Sequence, residues 1–328
     1  MWTRRTLVAT GAALLAGPAI AADGYAEALR QAWGAPIDPA AAYREARAEI
    51  RRLQPRADRL LRGQGLTRGT VAERLGVLFA DERYLFPDSN AGRDAAAALM
   101  NAALARLKPQ LAAAFGDLAV PAAEVRRMSP ADEAQGRGGY REPPAYYVDL
   151  KAIRERPDWT LASVAFHETV PGHALQTTLQ SADPAKQRWF GVYSEAWATY
   201  AEQLAADLGA YAGDPRGELG YLHWRLFRMA RIVADIGLGA LGWDDARAIA
   251  AMREIQGHAI AFTTPEADVA RMRRQPAVYA TQGLGALTIG RLRPRRLADW
   301  PQFHRRILAD GPWPGSMLRE LAVKGSGR

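Results

Sequence analysis

Apolar residues recur at helical spacing along most of the chain, and capping residues mark where several helices begin. Asp38 followed by Pro39 opens a stretch that the pattern predicts as helix to about Leu61, with a kink near Pro55. Later helices are predicted from residue 87 to Pro109 or Phe115, from Asp214 to residue 241, and from Thr264 onward.

One short segment has the pattern of a strand. AYYVDL, Ala145–Leu150, is rich in β-forming residues and is bounded by Pro144 and Lys151. The preceding segment, residues 128–144, is rich in glycine and proline and is predicted to be a loop. The predicted fold is therefore mainly α with a small β-sheet. An edge of the predicted strand is a candidate binding surface for an extended peptide.

The stretch FHETVPGHALQ ends a predicted buried helix and contains two histidines six residues apart. In the H-E-x-x-H zinc helix the histidines lie about 40° apart around the axis, whereas this spacing places His167 and His173 roughly 120° apart. Pro171 has no N–H for the carbonyl of His167, and Gly172 gives the backbone freedom for a local excursion. If two residues loop out, both imidazoles can meet one metal. The alternative is a helix–turn–helix in which they diverge.

A carboxylate from a later helix, predicted in VYSEAWATYAEQLAADLG, could complete such a site. Glu195 is flanked by Tyr193 and Trp197, and it fits a His₂Glu zinc site with a fourth position left for water. Glu202 lies seven residues on, as a rival ligand or as a partner of a ligand. The alternative places both carboxylates on a solvated face. Because the chain has no cysteine, only His, Asp or Glu can hold a metal.

The N-terminal residues have the pattern of an export signal. Arg4 and Arg5 precede an apolar core at residues 6–17, and small residues permit cleavage after Ala21. A signal peptide at 1–21 predicts a periplasmic or secreted protein without stable membrane insertion after cleavage. The paired arginines also fit a twin-arginine signal. The alternative, a retained membrane anchor, is disfavoured by the short apolar run.

The net charge of +8 comes largely from arginines that are spread along the helical stretches. The tightest cluster is RLRPRR, at residues 291–296. Such a cluster can bind nucleic acid or an anionic surface, but the chain has no recognisable nucleic-acid motif. We expect a solvated basic surface and no nucleic-acid partner.

Four motifs together mark a resemblance: HETVPGHALQ, YSEAWATYAEQL, RMARIVADIGL followed by GW, and FHRRILADGPWPGSML. With them the chain resembles, over Tyr84–Leu321, the C-terminal half of a bacterial H-E-x-x-P-G-H family. That family was long described only as a domain of unknown function and is regarded as zinc peptidases. The resemblance implies a fold similar to the helical gluzincin peptidases, which include carboxypeptidases. It implies Zn²⁺ bound by His167, His173 and Glu195, with Glu168 as the catalytic base.

The chain also departs from the family pattern. Family members are longer, with a large helical N-terminal half, so a partner chain that replaces this half is one expectation. The family usually has histidine at the place of Gly239, and tyrosine at the place of Gln282. Tyr279, three residues before Gln282, and His258 are therefore the candidates for stabilising the oxyanion.

These observations predict an exported zinc-dependent peptidase with a signal peptide at 1–21 and one mostly helical catalytic domain at 22–328. In this prediction the zinc activates water, and Glu168 moves the proton to the leaving amine of a peptide substrate. Asp235 is expected either to orient a zinc-bound imidazole or to form a salt bridge with Arg228 or Arg231. The alternative function is a non-catalytic periplasmic metal-binding or scaffold protein that retains the fold.

Overall fold

The computed structural model describes residues 22–258 and 263–323, and the predicted signal peptide lies outside them. The described chain is mainly helical and has one small sheet, as predicted. The helices are α1 (Ala22–Trp33), α2 (Pro39–Gly63), α3 (Val71–Phe79), α4 (Asn90–Leu107), α5 (Leu111–Phe115), α6 (Pro130–Ala134), α7 (Asp158–Glu168), α8 (His173–Thr178), α9 (Pro184–Gln187), α10 (Phe190–Asp207), α11 (Pro215–Ala240), α12 (Asp245–Gln256), α13 (Pro265–Arg274), α14 (Val278–Leu292), α15 (Trp300–Leu308) and α16 (Leu318–Val323). The strands are β1 (Glu124–Arg127), β2 (Tyr140–Glu142) and β3 (Ala145–Val148).

The helix starts predicted from capping residues are confirmed. Asp38 accepts hydrogen bonds from the first N–H groups of α2, Asp214 caps α11, and Thr264 caps α13. Each cap satisfies an otherwise unpaired N–H group and contributes about 0.5–2 kcal/mol. Pro55 lies inside α2, which is continuous through it. These starts were predictable because a cap and the helix that follows it are local in sequence.

The predicted loop at residues 128–144 is wrong in part, because it contains both α6 and β2. Ser129 caps α6 by accepting from the N–H of Asp132, with Pro130 in the first helical position. β2 is a strand because it pairs antiparallel with β3, and this pairing cannot be read from the glycines and prolines around it.

The sheet has the order β1-β3-β2, with β1 parallel and β2 antiparallel to β3. β3, the strand predicted at Ala145–Leu150, is confirmed but is central. Its two edges are occupied, so the prediction that this strand offers an edge to a peptide is wrong. The unpaired edges belong to β1 and β2. In the register of β2, Arg141 lies opposite Tyr146.

The core is built around α11, which is buried along most of its length and packs against α2, α7, α12 and α14. α10 packs in turn against α14 and α7. Among the residues described, no helix combines the length and the apolar character needed to cross a membrane. The packing brings α7, α8, α10 and α11 together, and these helices carry the predicted metal ligands and their neighbours.

Candidate metal centre

The helix that contains the first histidine is interrupted where the sequence predicts it. α7 ends at Glu168, four residues leave the helical path, and α8 begins at His173. Gly172 is required there, because a Cβ on this residue would lie only 2.0 Å from the carbonyl oxygen of His167. A residue with a side chain could therefore not follow this path without moving the backbone of His167.

A tryptophan of α10 holds the excursion in place. The buried indole Nε1 of Trp197 donates to the carbonyl oxygens of Pro171 at 2.9 Å and Gly172 at 3.2 Å. Without Trp197 these two carbonyls would be buried and without a hydrogen bond, so the indole offsets the free-energy cost of breaking the helix here. This contact also ties the loop to the helix that carries Glu195.

The two imidazoles converge, and the diverging helix–turn–helix alternative is wrong. Their ring centroids are 4.8 Å apart. The Nε2 atoms of His167 and His173 lie 3.6 and 3.3 Å from the two carboxylate oxygens of Glu195. One potential ligand atom from each residue lies within 4.8 Å of the other two. Two histidines and one carboxylate are the ligand set of many catalytic zinc sites.

His167 is oriented by a buried carboxylate. Its Nδ1 is 2.8 Å from an oxygen of Glu202, and the other oxygen of Glu202 accepts from the Ser163 hydroxyl at 3.1 Å. If Nδ1 carries the proton, Nε2 presents its lone pair toward Glu195. Glu202 therefore occupies the place of a partner of the ligand and not of a rival ligand.

His173 is oriented by a hydroxyl. Its Nδ1 lies 2.8 Å from the Ser194 oxygen, and this hydroxyl donates to the side-chain oxygen of Gln176 at 2.8 Å. Ser194 therefore accepts from Nδ1–H, and Nε2 carries the lone pair. Among the described residues this buried Nε2 has no hydrogen-bond partner, although a Glu195 oxygen is 3.3 Å away. The lone pairs of His173 Nε2 and of the Glu195 oxygen therefore face each other, and a metal cation between them would bind both.

The two carboxylates and the two imidazoles shift one another's pKa values, and the carboxylates favour a positive charge between them. Burial opposes ionisation of Glu195, but the adjacent imidazoles of His167 and His173 hold its pKa well below the usual range. Burial and Arg228 disfavour the charged form of His167, yet hydrogen bonds to Glu195 and Glu202 outweigh them and raise its pKa to about 9. Burial lowers the pKa of His173, which favours the neutral ring that a metal needs.

The predicted base, Glu168, stands beside this cluster and is not among the three converging residues. It lines the same cavity as His167 and Glu195. One of its carboxylate oxygens forms an ion pair with Arg141 of the edge strand β2. The sheet thus contributes directly to the surroundings of the predicted base.

A cavity of about 410 Å³ opens onto the cluster. Tyr279 lines it, and this largely buried hydroxyl accepts a hydrogen bond from Arg271 at 3.0 Å. Burial raises the pKa of Tyr279, so the phenol keeps its proton. The lining residues are Gly139, Tyr146, Val164, His167, Glu168, Glu195, Glu202, Trp224, Phe227, Arg228, Arg231, Thr263, Arg271, Gln275, Val278, Tyr279 and Gln282.

The second candidate for oxyanion stabilisation, His258, is not brought to the cluster. It is exposed, follows the end of α12, and is absent from the residues that line the cavity. Residues 259–262, which follow it, lie outside the described part of the chain. The predicted role of His258 therefore remains a prediction without support from its position.

Arg228 of α11 is one of the cavity residues that the sequence did not single out. Its Nη1 lies 3.9 Å from a carboxylate oxygen of Glu195, and its Nη2 lies 3.5 Å from Glu202 and 3.4 Å from the Nε2 of His167. The available signal was a cation in the middle of a helix that is buried along most of its length. The Arg228 side chain meets these residues only because α11 packs beside α7 and α10, which are distant in sequence.

The expectations for Asp235 are wrong. Its carboxylate accepts from the Tyr25 hydroxyl at 3.1 Å and from the N–H groups of Ala277 and Ala280 at 3.0 and 2.9 Å. It therefore caps α14 and bonds neither an imidazole nor an arginine of α11. Burial raises its pKa to about 6. These partners are far away in sequence, so spacing along α11 could not reveal them.

The two departures from the family pattern have different positions. Gly239 is packed against Tyr25, and a Cβ there would lie 2.0 Å from the tyrosine ring. It is not among the residues that line the cavity. Gln282 does line the cavity, and its amide donates to the carbonyl of Gly191 at 3.0 Å. The cavity therefore has an amide where the family pattern has a phenol.

The sequence and the fold both have relatives. The profile of a family described as "Bacterial protein of unknown function (DUF885)" matches residues 2–321, which begins earlier than the Tyr84 expected from the motifs. A solved structure described as a "putative lipoprotein" from Colwellia psychrerythraea is 29% identical, with a TM-score of 0.80, over 91% of this chain and 54% of that one. A second solved structure, of a protein of unknown function from Shewanella oneidensis, is 18% identical to this chain, with a TM-score of 0.62. That match covers 92% of this chain and 59% of the Shewanella chain.

The chain thus spans little more than half the length of these two solved relatives. The Shewanella protein, at this level of identity, supports the fold alone. No curated protein matches the chain at a significant level.

Proposed function

The chain belongs to the bacterial DUF885 family of proteins of unknown function, and for it we propose the activity of a zinc-dependent peptidase. The observation that carries the proposal is the convergence of His167, His173 and Glu195, with the buried Nε2 of His173 left without a hydrogen-bond partner among the described residues. The likeness to gluzincin peptidases is part of this proposal and rests on the same residues.

In the proposal, the two histidines and Glu195 hold Zn²⁺, and Glu202 and Ser194 keep the rings in the tautomers that coordination needs. Zinc would supply an acidified water and a polarised substrate carbonyl. Glu202 also balances the charge of Arg228, which lies beside the ligands. The remaining chemistry belongs to side chains of the cavity.

Glu168 is the general base. It takes a proton from the attacking water and delivers it to the leaving amine, as its place in the cavity beside His167 permits. The ion pair with Arg141 fixes one carboxylate oxygen and leaves the other for the water. Arg141 is thus a positioning residue for the base.

The charge that develops on the carbonyl oxygen needs a donor. Arg228 lies 3.9 Å from Glu195 and lines the cavity. Tyr279, whose phenol keeps its proton, shares a small adjoining void with Glu195 and is the neutral candidate. We assign the main role to Arg228, because a positive charge stabilises an oxyanion more strongly in a buried site.

We place the protein in the cell envelope or outside the cell. The Colwellia relative is described as a "putative lipoprotein", and the N-terminal residues of this chain have the pattern of an export signal. The substrate is a peptide, and a partner that supplies the remaining length of the relatives belongs to the same proposal.

The second candidate function is a non-catalytic metal-binding or scaffold protein. The ion pair between Arg141 and Glu168 favours it, because it neutralises the proposed base. The two functions differ in turnover and agree in zinc binding.

Replacing Glu168 with Gln separates the two functions, because it keeps the shape and removes the basic carboxylate. We expect zinc content to stay near one ion per chain and peptide hydrolysis to fall by about 10²–10⁴-fold. The measurement is hydrolysis of a peptide library followed by mass spectrometry, with zinc determined on the same samples. A zinc-replete wild type that cleaves no peptide would select the scaffold function. Unchanged hydrolysis by the zinc-replete variant would exclude Glu168 as the base.

A further inference from the structure

Among the described residues, three arginines line the cavity and a fourth, Arg141, contacts Glu168 in its lining. Carboxylates of the chain already engage three of these four arginines. Arg231, for example, makes a two-point ion pair with a fully buried aspartate, with both distances at 2.8 Å. The three pairs are Arg141–Glu168, Arg228–Glu202 and Arg231–Asp268.

Arg271 is the exception. It lies in the last turn of α13, it is exposed, and it lines the cavity. Within residues 22–258 and 263–323, its hydrogen-bond partner is the neutral phenol of Tyr279, at 3.0 Å, and no carboxylate pairs with it. A guanidinium has five N–H donors, and this one uses a single donor for the phenol. The remaining donors can bind an anion in the cavity.

The adjacent phenol adds a second donor. Tyr279 accepts from Arg271 through its oxygen, and its own O–H has no acceptor among the described residues, so it can donate to a ligand. The ring is also held in place, because the Arg231 guanidinium lies 4.3 Å from its centroid. Arg271 and Tyr279 together match the two oxygens of a carboxylate.

The size of the cavity favours a chain end as the source of that carboxylate. Its 410 Å³ falls in the lower part of the range for sites that bind drug-sized molecules, about 300–1,000 Å³. Such a cavity accommodates a short peptide segment, and its apolar lining, which includes Trp224, Phe227 and Val278, suits a side chain next to the terminus.

We propose that Arg271, assisted by the Tyr279 hydroxyl, binds the free α-carboxylate of a peptide substrate, so that the enzyme removes residues from the C-terminus. This inference rests on the proposed peptidase function and deepens it. Hydrolysis then adds one water across the peptide bond near the bound end and releases a fragment that carries the original carboxylate.

The test uses three matched substrates on the full-length zinc-loaded protein. They are N-furylacryloyl-Phe-Phe as the free acid, the same peptide as its C-terminal amide, and N-furylacryloyl-Phe-Asp amide, which has only a side-chain carboxylate. We expect kcat/KM for the free acid to exceed that for both amides by at least about tenfold, the effect of a charge-assisted hydrogen bond.

Replacement of Arg271 with Gln should lower kcat/KM for the free acid by about 10–100-fold and should abolish the preference for the free acid over the amides. The matched control is Arg274→Gln, because Arg274 is exposed on the same helix and does not line the cavity. Equal cleavage of acid and amide by wild type, or an Arg271 variant with the wild-type preference, would overturn the inference. A preference for the Asp amide over the Phe amide that depends on Arg271 would assign the site to an acidic side chain and would also overturn it.

A binding measurement keeps this inference separate from the peptidase proposal. Calorimetry with the same three peptides on zinc-loaded Glu168→Gln protein, with and without Arg271→Gln, does not need turnover. If the free acid binds best and this depends on Arg271, the carboxylate site stands even when wild type hydrolyses nothing. If wild type hydrolyses acid and amide alike, the peptidase proposal stands and the carboxylate site is wrong. Binding that does not distinguish the acid from the amides overturns the site in either case.

Discussion

Glu202 provides the most informative perturbation near the metal centre, because it contacts a predicted ligand without being one. Its carboxylate is buried, and one oxygen lies 2.8 Å from the Nδ1 of His167. A hydrogen bond to a charged partner contributes about 1.5–3 kcal/mol, and tenfold in affinity corresponds to about 1.4 kcal/mol. Loss of such a partner of a ligand is expected to weaken metal binding by about 10–100-fold.

The two available substitutions should differ in size. Glu202→Gln keeps a carbonyl acceptor for His167 and removes only the charge, so zinc affinity should fall by about tenfold. Glu202→Leu removes the acceptor as well, and its effect should approach about a hundredfold. Both variants also leave Arg228 with less compensating charge, so some loss of folding stability is expected in addition.

The assay is competition for zinc against a chromophoric chelator at pH 7.5, with circular dichroism to establish that each variant is folded. The control is Glu49→Gln, because Glu49 is a largely buried carboxylate bonded to Arg225 on the same helix as Arg228. This control should lose stability and keep its zinc affinity. A folded Glu202→Leu variant with wild-type zinc affinity would refute the assignment of Glu202 as the partner of a zinc-bound histidine.

Two further predictions concern the break in the helix and the response to acid. Gly172→Ala places a Cβ 2.0 Å from the His167 carbonyl oxygen, so we expect this variant to lose zinc and to have a lower Tm. Gly76→Ala is the control, because a Cβ there has no atom within 4 Å, and it should keep the wild-type zinc content and Tm. Zinc retained by Gly172→Ala would contradict the close approach. His304 is buried, and burial lowers its pKa from 6.5 to about 3, so it contributes stability that is present above pH 6.5 and is lost as the pH falls through about 3. Urea titrations should therefore show a fall in the free energy of unfolding of up to about 1.4 kcal/mol per pH unit over this window, which His304→Gln should reduce; an equal slope in the variant would exclude His304 as the cause.

The parts of the fold that could be predicted are those encoded by neighbouring residues. Asp38, Asp214 and Thr264 mark helix starts because a cap acts on N–H groups two or three residues away. β2 was missed because its strand conformation depends on pairing with β3. The position of β3 in the centre of the sheet was missed for the same reason.

The candidate site divides in the same way. Pro171 and Gly172 explained how His167 and His173 could converge, because the excursion is local. The contacts of Asp235 with α1 and α14 could not be inferred from α11 alone. Arg228 and Arg271 face the cavity only because distant helices pack together, so neither could be assigned a role from spacing.

The central claim, that His167, His173 and Glu195 form a zinc site, is tested most directly by metal analysis of the purified protein. Wild type should contain about one zinc per chain, and His173→Ala, which removes one of three protein ligands, should contain almost none after dialysis against a weak chelator. His258→Ala is the matched control, because this histidine is exposed and does not line the cavity, and it should retain the wild-type zinc content. A wild type without bound zinc after zinc loading, or a folded His173→Ala variant that retains it, would contradict the account.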